Sequence, residues 1–184
     1  MSDLMNTLKD RIKTAMLAKN DLEKNLLRSV LGEAQTVEAR SGTITDEEVE
    51  AVVRKSIKGN YTALALIVLG KEGEDNKELL NATIQKFASN DAALVAQVKA
   101  KNQSEYDRVV KENAVLESLV PKQLTAQDIE AFFLNSDNPE FEQIQNAKAD
   151  GQATGIAMKA LKAAGLVVDG RLVGEVVKKI RSQA

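Results

Sequence analysis

Two prolines punctuate the whole of this 184-residue chain, and the first, Pro121, arrives only after a long succession of helix formers. A proline ring fixes φ, removes an N–H and clashes with the preceding turn, and it biases the residue before it away from helix. Its setting is "LESLVPKQL" (116–124), between the apolar pair Leu119–Val120 and a fresh helical run, "KQLTAQDIEAFF". The pattern predicts a joint rather than a kink. Residues 1–119 form a helical arm, a hairpin plus long helices, and residues 122–184 form a small C-terminal multi-helix domain. Pro121, Gln123 and Leu124 make the joint, and Lys122 and Gln123 solvate it. With no tryptophan and only 3% aromatic residues, the core must rest on Leu, Ile, Val and Ala. That palette, mixed with Lys, Glu and Gln, favours helices, and the predicted fold class is all-α.

Apolar spacing and helix-start signals divide the arm further. Leu4, Leu8, Ile12, Ala15 and Met16 recur at helical spacing behind Ser2 as N-cap. Asn20 or Asp21 caps a second helix through Leu22, Leu26, Leu27, Val30, Leu31 and Ala34. "TDEE" (45–48) predicts a capping box, with Thr45 and Glu48 three residues apart, opening a helix that runs into the apolar stretch 63–69. "GKEGEDN" (70–76) reads as a polar turn, followed by a short helix with Leu79, Leu80, Ile84 and Phe87. A long helix then starts near Asp91 and reaches Val120, with a polar middle from Lys99 to Glu105 that projects past the body.

Beyond Pro121, Thr125 and Asp128 form an aspartate version of the capping box ahead of Ile129, Phe132 and Phe133. "NSDNP" ends that helix, and another is expected near 140–149. "ADGQATG" (149–155) reads as a turn before "IAMKALKAA". It lacks the third glycine, the preceding strand and the Lys-Ser/Thr of a phosphate-binding loop. Gly165 stops that helix in the C′ role. Asp169 and Gly170 introduce the last one, which carries Leu172, Val173, Val176, Val177 and Ile180 on its apolar face.

The chain holds neither cysteine nor histidine. Disulfide frameworks are therefore excluded, and zinc, haem and iron–sulfur sites lose their usual ligands. Nucleophilic pairs that depend on histidine are excluded too. The carboxylates of "EGEDNKE" (72–78) lack calcium-loop spacing. No cofactor, no metal and no catalytic residue is expected.

Charge is unevenly placed in the second block. Residues 121–150 carry two basic side chains, Lys122 and Lys148, against six acidic ones. Residues 151–184 carry six basic side chains against two acidic ones. Such a basic tail gains by releasing counterions from phosphates, although cations near helix C-termini also complement the helix dipole.

Four separated stretches resemble the GatB/YqeY domain family. They are "LRSVLGEAQTVEARSGTITDEEVEAVVRKSIKGN" (27–60), "LESLVPKQLT" (116–125), "GIAMKALKA" (155–163) and "DGRLVGEVVKK" (169–179). The resemblance implies a helical N-terminal part and a small three-helix-like C-terminal domain. It also implies a non-catalytic, YqeY-like accessory role related to the tail of the tRNA-dependent amidotransferase B subunit, where that domain helps hold tRNA. Carried onto this chain, the nucleic-acid-facing residues are Lys159, Lys162, Arg171, Lys178 and Lys179. Two departures stand out. "GLVV" (165–168) is apolar where the family carries a basic Gly-Arg-Ala segment, and 60–115 is a longer, unmatched extension.

The expected function is therefore tRNA or RNA association through a basic C-terminal helical face. The alternative is a protein-interaction module using the long helices at 45–119, and last comes a stand-alone carbon–nitrogen ligase with glutamine as amide donor. The start, "MSDLMNTLKDRIK", is charged and amphipathic rather than a signal peptide, and no apolar run is long enough to span a membrane. The expected location is cytoplasmic, and the sequence leaves the oligomeric state open.

Overall fold

Helix starts in this protein are set by local side-chain chemistry. The computed structural model describes residues 2–122, 124–134 and 139–182. Among these, all regular structure is α-helix, in ten elements, and there is no strand. The chain divides into two compact units, Met1–Val120 and Pro121–Ala184.

In the first unit, α1 (Asp3–Leu17) begins at Ser2, whose hydroxyl accepts from the Met5 N–H. α2 (Asp21–Ser41) begins at Asn20, whose side chain accepts from the Glu23 N–H. The capping box of α3 (Asp46–Leu69) is complete: Thr45 Oγ1 accepts from the Glu48 N–H, and Glu48 Oε2 accepts from the Thr45 N–H at 2.9 Å. Each such cap satisfies backbone donors that a helix start leaves open, worth about 1 kcal/mol. Residues 63–69 continue α3 as helix.

Helix α3 is the spine of this unit, about 36 Å long at 1.5 Å per residue. Its N-terminal half buries Val49, Val52 and Val53 in one core with Met5, Leu8, Leu27, Val30 and Leu116. Its C-terminal half buries Leu64 and Ala65 in another, with Ile84, Phe87, Val98 and Val109.

The polar stretch after α3 is not an open turn. Gly70 closes α3 and α4 (Lys71–Asp75) follows as one short helical turn, with Gly73 buried. A Cβ on Gly73 would lie 2.9 Å from the Leu69 Cβ. The missing side chain lets α4 fold back onto α3, a tertiary reason that local composition does not display. Helix α5 (Lys77–Ala88) is capped by Asn76, which accepts from the Leu79 N–H.

Helix α6 (Ala92–Glu117) starts at Asp91 as expected but is not continuous. Asn102 is extended, with φ −157° and ψ 82°. Its Oδ1 then accepts from the Glu105 N–H and the Ser104 hydroxyl, so it serves as a second N-cap. The exposed polar middle is a break rather than a projecting rod. α6 ends at Glu117, ahead of Pro121.

In the second unit, α7 (Ala126–Leu134) opens on Thr125 and Asp128, each bonding the other's backbone N–H. Helix α8 (Glu140–Gln145) is shorter than the expected 140–149. "GQATG" lies inside α9 (Asp150–Ala163) instead of forming a turn. Gln152 Oε1 accepts from the Lys148 N–H, and Ala153 and Ala157 are fully buried. Burial of this small-residue face outweighs the roughly 1 kcal/mol that a helical glycine costs.

Gly165, at φ +71°, terminates α9 with the Leu166 N–H bonded to Leu161 O and its own N–H to Lys162 O. This is the Schellman arrangement. α10 (Gly170–Ser182) starts at Asp169, which accepts from the Arg171 and Leu172 N–H groups. The core of this unit joins Ile129, Phe133 and Ile144 to Leu161, Val173, Val177 and Ile180. Leu124 packs against it and its N–H donates to Val167 O at 3.1 Å, while Gln123 lies outside the described residues.

Candidate functional site

The five cations marked in the sequence, Lys159, Lys162, Arg171, Lys178 and Lys179, are all exposed. Lys159 and Lys162 are neighbours on α9, three residues apart. Arg171 and Lys178 share one face of α10, being seven residues apart. Glu175 lies on that same face between them, so the stripe is basic at its ends and acidic in the middle.

Lys179 is turned to α7, where its Nζ lies 2.7 Å from Glu130 Oε2. Arg181, which the sequence reading did not single out, reaches Asp150 Oδ1 and Ala147 O. Those two side chains tie α10 to its neighbours. Lys159, Lys162, Arg171 and Lys178 carry no ion pair among the described residues. They form an open cationic set spread over two helices.

A second site had no local sequence signal. In the N-terminal unit, α3, α5 and α6 border a cleft of about 410 Å³. Leu64, Phe87 and Val109 are its buried apolar lining. Both tyrosines of the chain, Tyr61 and Tyr106, line it as well. At one end stand Asn113 and Glu117.

Asn113 is 4% exposed, and its Oδ1 accepts from Asn60 Nδ2 at 2.8 Å. Its own Nδ2 is buried without a hydrogen-bond partner among the described residues. The Tyr61 hydroxyl donates to Glu117 Oε1 at 3.3 Å. Burial pushes the Tyr61 phenol above its ordinary range, and the Glu117 carboxylate adds to that shift. The Asn113 amide, turned toward the phenol without completing a bond of ordinary geometry, pulls the other way. Lys99 Nζ sits 4.8 Å from the centre of the Tyr106 ring, a cation–π contact.

No cluster of three or more metal-ligating side chains occurs among the described residues. No helix among them is long and apolar enough to cross a membrane.

The chain matches no family model. A stretch of 55 residues is 38% identical to a protein of Clavispora lusitaniae named Altered inheritance of mitochondria protein 41, mitochondrial. The matched stretch is 30% of this chain and spans about a third, 32%, of that relative's length.

Proposed function

We propose that this protein is a non-catalytic accessory module that associates with tRNA or another RNA through the C-terminal unit, in a system of the tRNA-dependent amidotransferase type. The observation that carries the reading is the open cationic set, Lys159, Lys162, Arg171 and Lys178, exposed and outside the ion pairs that occupy Lys179 and Arg181. The resemblance of residues 155–163 and 169–179 to the GatB/YqeY domain supports RNA as the partner. The lack of histidine and cysteine supports a binding role over a chemical one. The compartment proposed with this reading is the cytoplasm, and the mitochondrial name of the partial relative counts toward the organelle instead.

Electrophoretic mobility shift with total tRNA tests this. Four phosphate contacts give affinity that falls by roughly 50- to 150-fold between 50 and 200 mM salt. The triple variant Lys159→Glu, Lys162→Glu, Lys178→Glu abolishes the shift. Lys179→Glu is a poorer probe, since it also breaks the contact with Glu130. Binding that is unchanged in the triple variant overturns the reading. So does capture of a stoichiometric protein partner that survives nuclease and leaves no RNA. Glutamine turnover by the purified chain alone overturns its non-catalytic part.

A further inference from the structure

We infer that Glu175 is the residue by which the C-terminal unit tells RNA from DNA, its carboxylate accepting from a ribose 2′-hydroxyl while the cations around it hold phosphates. The inference rests on the RNA-binding reading above and adds the sugar to it.

The register of α9 and α10 places these groups. A Cβ on Gly170 would lie 4.0 Å from Met158 Cε, and one on Gly174 would lie 3.8 Å from Thr154 Oγ1. Further along, Arg181 meets Asp150. Contacts that climb α10 therefore descend α9, and the two helices pack antiparallel. In such a pair, residues one step past facing positions turn to the same side, here Lys159 past Met158 and Arg171 past Gly170. Lys162 and Lys178 follow on that side at helical spacing. Ala157 and Val173, one step before Met158 and Gly174, turn the other way and are fully buried. The four cations thus share one exposed face, and Glu175, one step past Gly174, stands on it among them.

A carboxylate in the middle of that face repels phosphate, so a surface built for phosphates alone has no use for it. Arg171 and Lys178 are about 10 Å apart along α10. That span exceeds one nucleotide link, so a ribose lies between the phosphates the two cations hold. A carboxylate is an acceptor with several lone pairs, and a 2′-hydroxyl is a donor that only RNA offers. Acidic side chains take ribose hydroxyls in the same way in dinucleotide sites.

The bases supply no competing readout. Phe132, Phe133 and Phe141 pack within or against the core of this unit, and both tyrosines lie in the other unit. No aromatic platform for stacking bases remains among its described residues. Contacts to the backbone alone carry no base information, which leaves the sugar as the chemical difference to be read.

Fluorescence anisotropy of the full chain with three labelled hairpins of one sequence tests this: RNA, DNA, and RNA with 2′-fluoro sugars, which keeps the RNA helix form but has no 2′ donor. RNA is expected to bind about fivefold more tightly than either analogue. Glu175→Gln, which removes the charge, should close that gap, mostly by tightening the two analogues. Glu142→Gln, at an exposed carboxylate on α8, removes the same charge and should leave the gap unchanged. Equal binding of RNA and 2′-fluoro RNA by the unaltered chain would overturn the inference and leave the RNA-binding reading standing. So would a Glu175→Gln protein that binds all three hairpins more tightly by the same factor. Failure to bind the RNA hairpin at all would overturn both.

Discussion

Replacing Gly73 by alanine sets two effects of known sign against each other. In an exposed helical position Ala gains up to about 1 kcal/mol over Gly, chiefly by narrowing the unfolded ensemble. At Gly73 the added Cβ would lie 2.9 Å from Leu69 Cβ, 3.1 Å from Leu69 Cδ1 and 3.3 Å from Leu66 Cδ2. The closest of these atoms is bonded directly to the α3 backbone and cannot swing away, so α4 itself must shift. Overpacking of that kind costs about 1–3 kcal/mol, and the expected net effect of Gly73→Ala is a loss of roughly 0.5–2 kcal/mol.

Gly59 is the internal control. It lies inside α3, is exposed, and nothing stands within 4 Å of the Cβ it would gain. Gly59→Ala should therefore raise stability by about 0.5–1 kcal/mol. Urea titration followed by tyrosine emission reads this unit alone, since both tyrosines lie within it. With a slope of about 2 kcal/mol/M, the midpoint falls by roughly 0.3–1 M for Gly73→Ala and rises by up to about 0.5 M for Gly59→Ala. A rise for both variants would refute the close approach of α4 to α3.

Thr45→Ala should cost about 1 kcal/mol in the same titration, and a cycle with Glu48→Ala should show coupling, because each side chain serves the other's backbone. Gly165→Ala meets no neighbour, so its cost is only that of a left-handed backbone, about 1–2 kcal/mol, read as a lower thermal midpoint by circular dichroism. The Ser2 hydroxyl, followed by the Leu4 N–H, holds the Asp46 carboxyl below the usual aspartate range. Its contribution to stability is therefore full above the ordinary aspartate pKa and is lost as pH falls through the lower folded value. Acid titration of Asp46→Asn should show a shallower loss across that window.

What the sequence made legible were features whose cause is local. Ser2, Asn20, Thr45, Asp91, Thr125 and Asp169 each start a helix by bonding backbone groups two or three residues away, so spacing alone reveals them. Glycine misled twice, each time suggesting a turn where packing makes a helix. "GQATG" looks like a turn until Ala153 and Ala157 are seen buried, and "KEG" looks like one until Gly73 meets Leu69.

Asn102 carries no mark that separates it from its polar neighbours, and its break shows only in the backbone. The cleft was hidden for another reason. Tyr61, Phe87, Tyr106 and Asn113 come from three helices, and only Tyr106 and Asn113, seven residues apart on α6, are linked by helical spacing. The one clue was compositional, in that the chain spends both its tyrosines there. For the cations, sequence gave position, but only the fold separates Lys179, tied to Glu130, from Lys178.

The interruption at Asn102 bears on how this chain tolerates being rewired. Val98 before it and Val109 after it enter the same buried cluster, and Lys101 donates to Val68 O at 2.7 Å while Asn113 holds Asn60. Each half of α6 thus has its own moorings on α3, and covalent continuity across the exposed residues between them adds little. Exposed backbone of this kind is where insertions, new termini and proteolytic nicks are best accepted. A proteolytic nick between Asn102 and Gln103 should leave both halves of α6 in place, with the two new ends lying where the original chain merely paused.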